Sequence, residues 1–163
     1  MTEQIPAPLH ARVAVSYRAC LLSDLARTAV PIPESSPTPG ALLSEAAAIL
    51  TAAHRLLEAA AVHERLAGTD WDTIGTTLNI SPRAARVRFA LAEAAFHDQL
   101  RRPTAPDPAT AAQLPSYVLQ EPLEAALDLD DWVLRHPDNE TPPGPTPVSG
   151  ALPRTPRQQK SPS

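Results

Sequence analysis

Proline limits what this chain can fold into more than any other residue, because each one fixes φ and removes a backbone donor. The 163 residues contain twenty prolines, and they are bunched. Pro31, Pro33, Pro37 and Pro39 crowd one short stretch, eight lie in 137–163, and only Pro82 falls between Gly40 and Arg102. Regular structure is therefore expected in the gaps. Aromatic residues make up 4% of the chain, so a core must be built from Ala, Leu, Val and Ile, a set suited to close-packed helices. The expected fold is all-α, a helical bundle.

In the first gap, 9–29, Leu9, Val13, Tyr17, Cys20 or Leu21, and Leu25 recur at helical spacing. The Pro-rich stretch 31–40 reads as a linker. From Ala41 to Ala67 two apolar stripes run side by side, one through Leu42, Ala46, Ile49, Ala53, Leu56, Ala60 and His63, the other through Leu43, Ala47, Leu50, His54 and Leu57. Together they form a wide face on a helix about 40 Å long. Gly68 suits its C-terminal stop, and Thr69 with Asp72 resembles a capping box opening a short helix at 70–78. Ser81-Pro82 then starts a further helix, with serine as cap and proline at the first turn. Ala85, Phe89, Ala92, Phe96 and Leu100 carry its inner face until Pro103.

The expected organisation is a disordered start at 1–8, a helical domain at 9–102, a proline-rich linker at 103–120, an acidic, weakly amphipathic helix at 121–136 and a proline-rich disordered tail at 137–163. The tail lacks sustained apolar periodicity to offset the entropy of ordering it. Net charge is −4, which by itself argues against a nucleic-acid binder, but the charges are segregated. Arg83, Arg86 and Arg88 fall within six positions, whereas 121–140 hold seven acids against Arg135. On a flexible tether that acidic segment would compete with DNA for the arginine face, unless it is a solubilising tail or docks elsewhere through Trp132. Cys20 stands alone, which excludes an internal disulfide or a multi-cysteine zinc site and suggests a small buried hydrophobe.

The segment Trp71-Asp-Thr-Ile-Gly-Thr-Thr-Leu-Asn-Ile-Ser-Pro-Arg-Ala-Ala-Arg-Val-Arg-Phe89 has the logic of two helices joined by a tight turn. Gly75 is small where the helices approach, Ile74 and Leu78 point between them, and Asn79 tolerates the left-handed turn conformation. Over about residues 69–90 it resembles the helix-turn-helix of the fourth region of bacterial sigma factors and of small actinobacterial regulators. The matching features are Trp71, Ile74, Leu78, Ile80, the Ser81 cap, Ala85, Arg88 and Phe89; Asn79 replaces the usual glycine and Gly75 a usual alanine. The resemblance implies a helix-turn-helix at 69–102 that binds double-stranded DNA, without implying a polymerase partner.

Used in the usual way, the second helix enters the major groove by its N-terminal residues. With Ala85 and Phe89 facing in, Arg83 and Arg86 face out, where an arginine fork reads guanine O6 and N7. Arg88, on the flank, suits either a phosphate or an internal pair with Asp72 or another nearby acid. Ser81, Thr76 and Thr77 complete the DNA-binding set, as hydroxyls near the turn. Asp70 and Asp72 would repel phosphate. No nucleophile–base arrangement, phosphate loop or metal spacing appears, so the chain reads as a non-enzyme without metal or cofactor. No apolar run is long enough for a membrane span, and the expected location is the cytoplasm. The leading function is a sequence-specific transcriptional regulator. The alternatives are an interaction module for a transcription component, using the acidic segment 121–136, and a phage- or plasmid-type DNA-packaging protein. The wide face within 42–60 points to a homodimer, unless helix 9–29 covers it.

Overall fold

The computed structural model describes residues 5–34, 38–102, 113–137 and 142–153, and expectations for other residues lie outside it. Among the described residues there are six α-helices and no strand: α1 (Ala7–Thr28), α2 (Ala41–Leu66), α3 (Trp71–Leu78), α4 (Pro82–Arg101), α5 (Ser116–Gln120) and α6 (Pro122–Arg135). A short 3-10 turn follows at Ser149–Ala151. The helices begin where proline or glycine permits. Pro6 precedes α1, Pro82 and Pro122 occupy the first positions of α4 and α6, and Gly40 precedes α2 at φ 83°. Helix α1 thus starts at Ala7 rather than beyond Pro8, because proline is tolerated in a first turn, where its missing N–H is not needed.

Helices α1 and α2 run antiparallel. His63 Nδ1 donates to Pro8 O at one end (3.1 Å), and Thr28 Oγ1 donates to Glu45 at the other (2.8 Å). Helix α1 is buried on two sides. Its Ala11 and Ala14 pack with Val62, Phe96 and Leu119, while Val13 packs with Val118, Ala125, Ala126, Leu129 and Leu152. The periodic stripe Leu9–Val13–Tyr17–Cys20 therefore faces α5 and α6, and the small alanines are what let α1 lie close to α2 and α4. Cys20 is half-buried rather than enclosed. A third cluster, Ala61, Ile74, Ala85 and Phe89, joins α2, α3 and α4.

Three expectations for the C-terminal third are corrected. The stretch expected to be linker contains α5, whose Val118 and Leu119 are buried. The acidic segment is not a swinging tether, because α6 is docked on α1 through Ala125, Ala126 and Leu129. Trp132 Nε1 donates to Asp24 Oδ1 (3.1 Å), and the Arg27 guanidinium lies 5.5 Å from the indole centroid. Residues 142–153, expected to be disordered, end in the core: Leu152 is buried, and buried Asp130 accepts from Val148 N (2.6 Å), Ser149 N (3.1 Å) and the Ser149 hydroxyl. A count of prolines could not reveal that one carboxylate on α6 accepts from the amides of Val148 and Ser149.

Candidate functional site

The connection from α2 to α4 is held at each of its turns. Gly68 takes φ 99° and ends α2, as its composition suggests. The cap of α3 is Asp70 rather than Thr69: Asp70 Oδ1 accepts from Thr73 N (2.8 Å), while the Thr69 hydroxyl donates back to Glu64 (2.7 Å). The Thr73 hydrogen bonds hold the Asp70 carboxyl below the usual carboxylate range. The cap therefore stays charged through mildly acidic pH and is lost only as pH falls through that lowered value. Asn79 ends α3 at φ 55°, ψ 42°, the left-handed region. Glycine should fit there without cost, whereas Asn79→Val should destabilise the protein by about 1–2 kcal/mol. Urea denaturation of the two variants checks this, and equal stability would contradict it.

Gly75 is required by a close approach. A Cβ there would lie 2.7 Å from Ile80 O and 3.1 Å from Pro82 N, both backbone atoms that cannot swing away. The chain thus folds tightly over α3 before Ser81 restarts it, with Ser81 Oγ accepting from Ala84 N (3.1 Å). Arg65 locks the arrangement from α2. Its Nη1 donates to Thr69 O (2.7 Å), its guanidinium lies 4.5 Å from the Trp71 ring centroid, and its Nε sits 3.6 Å from Glu93 of α4. Sequence reasoning missed this residue, because its three partners lie on three different segments.

Arg83, Arg86 and Arg88 are all exposed on the first two turns of α4. They form no ion pair among the described residues, so the pairing of Arg88 with Asp72 is absent. The Arg88 guanidinium instead lies 5.2 Å from the Phe89 ring centroid. Thr76 is exposed, but the Thr77 hydroxyl already donates to Thr73 O (2.9 Å), so as placed it has no hydrogen to offer a phosphate. Two further residues were not anticipated. Val87 is 78% and Leu91 80% exposed, one turn apart on the outer side of α4. The signal was available, since Val87 stands four positions after Arg83 and hence on the same side.

The chain matches no family model, no curated protein and no solved structure.

Elsewhere, a cleft of about 290 Å³ between α1, α2 and α4 is walled by alanines, Val62 and Phe96, with Arg18, Arg55 and Glu58 along it. Burial and the neighbouring Arg55 push the Arg18 guanidinium below its ordinary range. His63 is engaged by Pro8 and His54 is exposed. Among the described residues, no three His, Cys, Asp or Glu side chains converge as metal ligands would, and no helix is long and apolar enough to cross a membrane.

Proposed function

We propose that α3 and α4 form a helix-turn-helix and that the protein binds double-stranded DNA sequence-specifically, as a transcriptional regulator does. The observation that carries this reading is the first two turns of α4. Three exposed arginines, none neutralised by an acid among the described residues, project from a helix whose entry is fixed by Gly75, Asn79 and the Ser81 cap. A rigid entry matters because base readout needs the helix held in one orientation in the groove. Arg83 and Arg86 read guanines, Arg88 and Thr76 meet phosphates, and Val87 lies against a thymine methyl, the apolar contact available in the major groove. The net charge of −4 is no obstacle, since the acids of α6 sit on the element docked against α1 and not between these arginines.

The test is binding to a selected DNA site, measured by fluorescence anisotropy over a range of salt. Arg83→Ala and Arg86→Ala should each cost about 1–3 kcal/mol on the preferred site and relax preference at one position. Arg88→Ala should weaken binding evenly and reduce the salt slope by about one unit. If all three variants bind as the parent does, the assignment fails. Leu91 favours a second reading, in which the outer side of α4 docks on a protein of the transcription machinery. That reading predicts no salt-dependent DNA affinity and a loss of partner binding in Leu91→Asp.

A further inference from the structure

We infer that the N-terminal half of α2 is a self-association face, on which a second copy of this chain packs with α2 antiparallel to α2 about an axis midway between Ala47 and Leu50. The stripe Leu43, Ala47, Leu50, His54, Leu57 is covered only at its far end, where Leu57 meets the cluster of Ile74, Ala85 and Phe89. Upstream of it Leu43 is 76% and Leu50 57% exposed, and Ala47 and His54 are exposed as well. Helix α1 takes the neighbouring stripe from Ile49 onward and leaves this one open. Leu42, Val30 and Ile32, exposed at 67%, 77% and 94%, extend the patch around the same end of the α1–α2 pair. Five large apolar side chains exposed at one end of the helix pair are more than scattered surface leucines would give.

The residues outside the described ranges bring little that could cover the patch. Residues 1–4, 35–37, 103–112, 138–141 and 154–163 contain one large apolar side chain between them, Met1. The pattern of the stripe identifies the occupant. Read antiparallel against itself, Leu50 of one copy opposes Ala47 of the other, and Leu43 opposes His54, so each large side chain in the central pair meets a small one. That alternation lets side-chain ridges of two helices interdigitate, and a two-fold axis uses it twice. Two copies also meet without repulsion: the only charged residue between Ala41 and Ala53 is Glu45, already bonded to Thr28.

The experiment is sedimentation velocity of the full chain at tens of micromolar, without DNA. The parent should be a dimer. Leu50→Glu should weaken association by about a hundredfold or more, because it places a carboxylate against Ala47 of the other copy in a dry interface. Its circular dichroism should stay that of the parent, since the side chain is largely exposed in a single chain. Ala47→Lys should do the same. An equimolar mixture of the two variants should dimerise again, as the new carboxylate of one chain meets the new ammonium of the other. A monomeric parent, or a Leu50→Glu variant that remains dimeric, overturns the inference. Failure of the mixture to recover overturns the antiparallel register. As no DNA is present, any of these results leaves the readout by Arg83 and Arg86 standing or falling on its own test.

Discussion

Replacing Phe89 with alanine is expected to cost about 3–5 kcal/mol of folding stability, the range for emptying a fully enclosed aromatic position. Phe89 is 1% exposed and is the largest fully buried side chain among the described residues. It packs with Ala61 of α2, Ile74 of α3 and Ala85 of its own helix, with Leu57, Trp71, Leu78 and Ile80 around them. Most of these neighbours are held in place by the left-handed Asn79, the Gly75 backbone contact and the Arg65 side-chain clamp. The cavity should therefore persist rather than collapse, which places the cost high in the range. The loss is a large share of a marginal total, so Phe89→Leu, which keeps most of the volume, is the variant in which to test the proposed DNA binding. Urea denaturation checks the first effect, and a cost near 1 kcal/mol would mean that the α2–α3–α4 junction is looser than its geometry.

Asp130→Ala should be the most damaging change in the C-terminal third, at about 3 kcal/mol or more. The carboxylate serves Val148 N, Ser149 N and the Ser149 hydroxyl at once, in a place where both Asp130 and Ser149 are 4% exposed. Hydrogen bonds to a charged group contribute about 1.5–3 kcal/mol each, and a buried donor left alone costs about as much again. With the anchor gone, Leu152 has little to keep it between Val13 and Leu129, and residues 142–153 should become open to proteolysis. Asp130→Asn retains one carbonyl acceptor for the two backbone donors, so its loss should be clearly smaller. Limited proteolysis with urea denaturation of both variants checks the order. Equal stability of the alanine variant and the parent would show that the segment is held by Leu152 alone.

The elements that proved legible before folding were those with local causes. Ser81-Pro82, Gly68 and Asn79 each act through their own dihedral angles or nearest amides, and each stands where its chemistry suggests. The exposure of Arg83, Arg86 and Arg88 follows from the inward period of Ala85, Phe89 and Phe96 in the same way. What escaped depends on distant partners. Arg65 looks like a solvated helix residue until Thr69, Trp71 and Glu93 are brought to it. Residues 142–153 look unfoldable until Asp130 is brought to the amides of Val148 and Ser149. The assignment of Thr69 as a cap failed by one residue because Asp70, an equally good acceptor, stood next to it.

The two sides of α1 set an order in which the chain can assemble as it leaves the ribosome. Every neighbour that Phe89 needs lies between Leu57 and Phe89 itself, so the α2–α3–α4 junction closes over short loops and at small entropic cost. Val13 waits far longer, because Val118, Ala125, Ala126, Leu129 and Leu152 all emerge after α4. During synthesis α1 is thus made well before α5 and α6, with its apolar stripe uncovered, and it shares that interval with the open leucines of α2. A nascent chain stalled after α4 should already present its arginines in place, yet remain adhesive along α1 until the last turn around Ser149 is made.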